Sequence, residues 1–334
     1  MVRLGQTGIS RLSFSAAQAA LQRRAARAYA DAVSESRRGV WLGASAYLTW
    51  GFFPLYWPLL KPAGALEILA HRVVWALVLI AIMLLVVQRW SAVRAIMRDR
   101  RRMIILVVAA ITIAINWGTY IWGVNNGHVV ETSLGYFINP LVTVVIGVVI
   151  LGERLRPVQW GAIGLAAVAV VELTIDYGRL PYIALVLAFS FGTYGLMKKK
   201  ANLPALEGLA LETILLAPIA LVYLGSLQTT GGLVFGHDGW VNAALLAGTG
   251  VMTAFPLLMF AGAATRVPLT TLGLLQYLTP TLQFILGLVV FHEEMTGPRW
   301  LGFVLIWAAL AIITGEAIAN RRKVLRQAAE SVAY

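Results

Sequence analysis

The run Ala65-Leu66-Glu67-Ile68-Leu69-Ala70 opens an apolar stretch that reaches Val87 and is interrupted only by Glu67, His71 and Arg72. A helix over Leu66–Val87 is about 33 Å long, enough to cross a hydrocarbon core of roughly 30 Å. The same pattern returns 140 residues later as Ala205-Leu206-Glu207-Gly208-Leu209-Ala210. That offset also carries Pro140 to Pro280, Gly147 to Gly287, Glu153 to Glu293 and Trp160 to Trp300. One short match is chance. A shared offset across several helix pairs marks an internal duplication.

Working outward from the two copies, charged and turn-rich breaks divide the chain into ten apolar spans of bilayer-crossing length. The first five run over Gly39–Leu60, Leu66–Val87, Met103–Val124, Glu131–Leu151 and Pro157–Ile175. The second five run over Leu180–Met197, Leu206–Leu224, Val241–Ala264, Leu269–Phe291 and Pro298–Ala319. Of the 334 residues 59% are apolar and 13% charged, against roughly 45–50% and 25% in soluble domains. A soluble domain of this length has no interior able to hide so much apolar surface. Cysteine is absent, which removes disulfides, thiolate catalysis and thiolate-held metals. The four histidines, His71, His128, His237 and His292, stand at no metal-ligand spacing, so neither a metal nor a cofactor is expected.

A net charge of +12 would suggest nucleic acid in a soluble protein, but here the basic residues follow the membrane. Alternate connections hold 23 of the 27 Lys and Arg residues; the opposite set holds Lys61, Arg179 and Arg299, and Arg72 lies within a span. Basic connections stay cytoplasmic on insertion, so both termini are expected inside. Because each repeat has five spans, the second enters the membrane in the opposite direction. The expected fold is therefore an all-α polytopic membrane protein, ten transmembrane helices arranged as two inverted five-helix repeats, over residues 39–175 and 180–319. The basic segments 1–38 and 320–334 read as cytoplasmic tails. The first is expected to be flexible, lacks the apolar core of a secretory signal, and is suited to anionic lipid.

In such repeats the substrate site lies at the midplane, where helices are interrupted. Pro140 and Pro280 fall about 13 Å and 16 Å into their spans, and each frees a carbonyl four residues earlier, on Tyr136 and Gln276. Polar neighbours gather at the same depth: Asn139 on one helix, and Gln276, Tyr277 and Thr279 on the other. The third span adds Asn116, Trp117 and Tyr120, and the first adds Tyr47 and Trp50. Deep tryptophans such as Trp50, Trp75, Trp117 and Trp307 either line a cavity or fill space between helices. Trp41, Trp57, Trp90, Trp160, Trp240 and Trp300 sit at span ends and read as interfacial anchors. Arg72 is expected either to face the cavity, holding a substrate carboxylate or closing an outer gate, or to snorkel outward or pair with Glu172. Its counterpart Glu212 would take a proton or cation from the inner side. Small-residue stripes at Ala162, Ala166, Ala169 and at Ala311, Gly315, Ala319 suit close helix packing within the chain, with a homodimer as the sharper alternative.

His71-Arg72 with Trp75, Asn116-Trp117, the run Ser133–Leu141, Gly152-Glu153-Arg154, Tyr194-Gly195, Glu212-Thr213 and Gln276-Tyr277 before Pro280 together resemble the RarD family. That family lies in the EamA branch of the drug/metabolite transporter superfamily. The resemblance implies a ten-helix inner-membrane permease with no nucleotide-binding domain, a small-molecule substrate, and the bilayer as its other partner. Phe291-His292-Glu293-Glu294 departs from the family's usual glycine-glutamate at this point, which puts a functional role for Glu293 in doubt. The reading is a secondary transporter or exporter of a small organic metabolite or drug. A membrane enzyme on a lipid or prenyl substrate is the alternative, weakened by the absence of a carboxylate pair or a nucleophile with its base. No phosphate-cradling loop is present for ATP coupling.

Overall fold

The computed structural model describes residues 34–152, 154–267 and 269–332. Most of the tail at residues 1–38, together with Glu153, lies outside the described residues. Every regular element among those described is helical. Helix α1 covers 34–51, followed by α2 (Phe53–Tyr56) and a 3-10 turn (Trp57–Leu60). Then come α3 (Ala65–Val86), α4 (Trp90–Met97), α5 (Arg100–Asn125), α6 (Val129–Leu151) and α7 (Pro157–Tyr177). The second half holds α8 (Tyr182–Ala201), α9 (Ala205–Thr230), α10 (Gly239–Ala264), α11 (Leu269–Leu275), α12 (Leu278–Val289) and α13 (Gly297–Val332).

Among the described residues eight helical segments are long and apolar enough to cross a membrane, counting α11 and α12 together from Thr271 to Val289. The chain is an integral, multi-pass helical protein. The expected first and sixth spans are helical too, but each is compromised. The first is broken after α1, where Pro54 and Pro58 start two short pieces. The sixth, α8, ends in Lys198-Lys199-Lys200. Helix α13 continues past the apolar span that ends at Asn320, through the basic segment to Val332. Residues 90–97, expected as part of a connection, form the short helix α4, which buries Val93 and Ile96 and exposes Arg94.

The two midplane prolines behave differently. Helix α6 runs through Pro140 unbroken. At Pro280 the chain separates into α11 and α12 at Gln276-Tyr277, and the proline falls in the first turn of α12, where its missing N–H breaks no helical bond.

Packing follows from where side chains are small. Helix α8 lies against both α5 and α6, α3 against α9 and α10, α12 against α6, and α13 against α7. Ala162, Ala166 and Ala169 on α7 are buried in a core cluster shared with Phe303, Ile306, Ala309 and Leu310 of α13. That stripe is thus used within the chain. The second stripe, Ala311, Gly315 and Ala319, faces outward. Trp307 fills space between Phe137, Phe284 and Phe303, at centroid distances of 5.9, 5.5 and 5.9 Å.

The crossing of α3 and α10 is closest at Gly250, where an added Cβ would lie 2.6 Å from the carbonyl carbon and oxygen of Trp75. Backbone cannot yield as a flexible side chain can. Gly250→Ala should lower stability by about 1–3 kcal/mol, the usual range for overpacking. Gly164→Ala, on the exposed face of α7 with nothing within 4 Å, should cost nothing. Thermal melting of the two purified variants in detergent checks the contrast.

Candidate functional site

Arg72 is the eighth residue of α3 and is 4% exposed. Its Nε donates to the Thr253 hydroxyl of α10 at 3.0 Å. The guanidinium carbon lies 4.0 Å from the Trp117 ring centroid, 5.4 Å from that of Trp57 and 5.6 Å from that of Phe53. Tyr136 and Tyr120 interact with it electrostatically. Among the described residues no carboxylate pairs with it. A cation at membrane depth costs about 2.5–3.5 kcal/mol on insertion scales. Here aromatic quadrupoles and one hydroxyl offset that cost, each ring contributing about 0.5–2 kcal/mol. The site is an aromatic box around an unneutralised positive charge. It does not snorkel.

The box is held by a polar frame. The Tyr136 hydroxyl donates to Asn116 Oδ1 at 3.2 Å, and Asn116 Nδ2 donates to the Leu187 carbonyl at 3.0 Å and to Ser190 Oγ at 3.1 Å. Asn116 therefore ties α5 to α6 and α8 and has no amide donor to spare for a ligand. Tyr120 stands edge-on to Tyr136 at 5.6 Å, with its buried hydroxyl beside the Gln283 side chain of α12. On the other flank, Thr279 Oγ1 donates to the Tyr47 carbonyl at 2.7 Å and Gln283 Nε2 to the Trp50 carbonyl at 3.2 Å. Those bonds fasten α1 to α12, and Trp50 packs against the core cluster that contains Phe53, Trp57 and Tyr120.

The other expected site residues stand apart. Trp75 tilts over Phe235 at 6.0 Å and His71 stacks on the same ring at 4.7 Å, both ring nitrogens lacking a hydrogen bond. Asn139 keeps a buried, unpartnered Oδ1 near Gly192 of α8 and shares no hydrogen bond with Gln276, Tyr277 or Thr279. The Tyr277 hydroxyl meets Thr314 of α13 at 3.4 Å, and Gln276 is half-buried at the helix break. Glu212 accepts from Lys198 at 2.8 Å and from Tyr194 at 3.0 Å. Trp57, expected at an interface, is fully buried over Arg72.

Three acids matter more than the sequence suggested. The Glu67 carboxylate accepts the amides of Val234 and Phe235 at 2.9 and 3.2 Å. Glu131 accepts from Arg179 at 2.8 Å and from the amide of Ile183, in the first turn of α8, at 3.2 Å. Glu293 accepts the Val129 amide and, at 2.9 Å, that of Val130, so it caps the start of α6. Its role is structural at the least. Glu131, Glu293, Arg179, Arg299, His128 and Tyr177 line a recess of 290 Å³ beside these caps. The signal for Glu67 was present in the repeated hexad and that for Glu293 in its 140-residue pairing with Glu153; Glu131, a lone acid near a predicted helix end, gave none.

The EamA-like transporter family model matches this chain twice, over residues 37–175 and 181–315. Protein RarD of Streptomyces exfoliatus is 55% identical over 292 residues, covering 87% of this chain and 93% of that protein. An uncharacterised transporter of Bacillus subtilis, YojE, is 44% identical over 287 residues, covering 84% and 95%. A solved crystal structure 17% identical in sequence aligns with a TM-score of 0.52 over 82% of this chain and 96% of that one, a likeness of fold.

Burial raises the Glu293 pKa above its ordinary value, while the amides of Val130 and Val129 and the charge of Arg299 pull it back. A raised folded-state pKa means stability that is present at low pH and lost as pH rises through that value. Wild type should therefore gain thermal stability on Glu293→Gln as pH falls from 7 toward 5. Paired melting curves across that range test the sign.

Proposed function

The chain belongs to the EamA-like transporter family, and on that premise we propose that it is a secondary transporter that moves a small organic molecule across the cytoplasmic membrane by alternating access. The observation that carries this reading is a reciprocal reach between the two halves. Glu67, near the start of α3, holds the amides of Val234 and Phe235 in the connection from α9 to α10. Glu207, its counterpart near the start of α9, pairs at 3.4 Å with Arg89 in the connection that follows α3. Each acid thus grips the connection that follows the other's own helix. A two-fold axis in the membrane plane would generate that exchange.

Three further facts support ten spans in two inverted repeats. The family model matches once in each half. Helices related by the 140-residue offset pack against each other: α3 with α9, α6 with α12, and α7 with α13. The basic residues alternate between connections in a way that favours both termini inside. Alternating access then amounts to exchanging the conformations of the two halves, opening the box around Arg72 to one side and then the other.

Reporter tags near Ala95 and Thr230 should lie on opposite sides of the membrane, with Ala95 cytoplasmic. Purified protein in proteoliposomes should show saturable counterflow with at least one small organic solute. Both tags on one side would end the inverted-repeat reading. Linear, unsaturable flux would favour a channel.

A further inference from the structure

We propose that Arg72 is the anchor for a negative charge on the transported molecule, and that this molecule is a small organic monocarboxylate with a neutral, apolar body. The inference deepens the transport reading and rests on it for flux, though not for binding. A guanidinium carries five N–H donors in a planar fork. Arg72 spends one, on Thr253. Its two terminal nitrogens make no hydrogen bond to the protein among the described residues, and no acid stands within ion-pair distance.

Three partly buried cations near helix ends are treated otherwise. Arg179 has Glu131 at 2.8 Å, Lys198 has Glu212 at 2.8 Å and Arg299 has Asp176 at 2.7 Å. Arg72 is more deeply buried than any of these three and lacks what each of them has. The missing partner is an anion, and the terminal edge of a guanidinium matches the two oxygens of a carboxylate.

The walls restrict the rest of the ligand. Phe53 and Trp57 face the guanidinium from the segment after α1, Trp117 and Tyr120 from α5, Tyr136 from α6 and Thr253 from α10. None is acidic. An ammonium on the ligand would meet a like charge and no counter-ion, so an α-amino acid fits poorly. A second carboxylate would find no second cation. The rings of Phe53, Trp57 and Trp117 offer apolar faces around the guanidinium. A single carboxylate on an apolar body satisfies all of these groups.

The test is binding to the intact chain in lipid nanodiscs, read by tryptophan fluorescence, since Trp57 and Trp117 flank the site, and by calorimetry. The probes are a graded series of straight-chain and phenyl-substituted monocarboxylates, their primary amides and the matching α-amino acids. At least one carboxylate should bind saturably, with its amide and its amino acid about tenfold weaker or more, a difference of ~1.4 kcal/mol. Arg72→Gln should abolish the preference for acid over amide. Arg72→Lys keeps the charge but not the fork, so it should fold where the glutamine variant fails and bind with intermediate affinity. No binding across the series, or wild-type affinity in the lysine variant, overturns the inference. Carboxylate binding without counterflow would sink the transport reading alone. Counterflow of neutral or cationic solutes, indifferent to carboxylates and to Arg72→Lys, would sink this inference alone.

Discussion

Hydrocarbon offers no hydrogen bonds, and a polar group left without a partner there costs several kcal/mol. Everything distinctive in this chain answers to that demand. Helix starts, with their free amides, are the recurring difficulty, and carboxylates from elsewhere in the fold meet it. Glu293 closes the start of α6, and Glu131 on α6 closes the start of α8. Glu67 does the same for the connection before α10. These contacts join segments 52 to 167 residues apart, so they do tertiary as well as local work. Because each is a bond between a side chain and a backbone amide of another segment, each can break and re-form without unfolding a helix.

Apolar packing supplies the complement. Between lipid-facing helices there is little hydrophobic drive to associate, so close contact depends on small residues that let backbones approach. Gly250 against Trp75 and Gly135 against Ala184 mark two such approaches, on the α10–α3 and α6–α8 pairs, and Gly302 makes room for the Leu173 side chain on the α13–α7 pair. The α7–α13 pair is bound along the buried Ala162, Ala166 and Ala169 stripe and carries no polar site in its core. It reads as scaffold. The polar box and its frame lie instead among α3, α5, α6, α10 and α12.

The helical, multi-pass character was legible because length and hydropathy act on every residue of a span at once, as in Ala65–Val86. The break in the first span was less so: Pro54 and Pro58 are visible in the sequence, but whether a proline kinks or ends a helix depends on what satisfies the freed carbonyl. Pro140 and Pro280 make the same point, since equal positions in the repeat yield one continuous and one interrupted helix. For the site, residue type identified Arg72, Trp117, Tyr120 and Tyr136 as deep and polar or aromatic. It could not say that Trp57, at a span end, folds inward over Arg72, nor that Thr253 stands opposite. Those are tertiary facts, set by the crossing of α3 and α10. Asn139 and Asn116 looked alike in sequence; one is left with an unmet oxygen and the other is consumed by three hydrogen bonds.

Duplication explains why a scaffold can be symmetric, but a transporter must discriminate one ligand and cannot do so with symmetry alone. The offset that relates Glu67 to Glu207 relates Arg72 to Glu212, and there the two halves carry opposite charge. Glu212 is answered within the chain by Lys198 and Tyr194. Arg72 is answered only by rings and a single hydroxyl. Had both been paired, the core would be electrostatically closed and indifferent to what entered. Had both been left open, the two unmet charges would attract each other or favour zwitterions. One satisfied acid and one unsatisfied base leave a single, localised demand for negative charge. On the proposed transport reading, selectivity resides where the repeat is broken chemically, while the motion resides where it is kept.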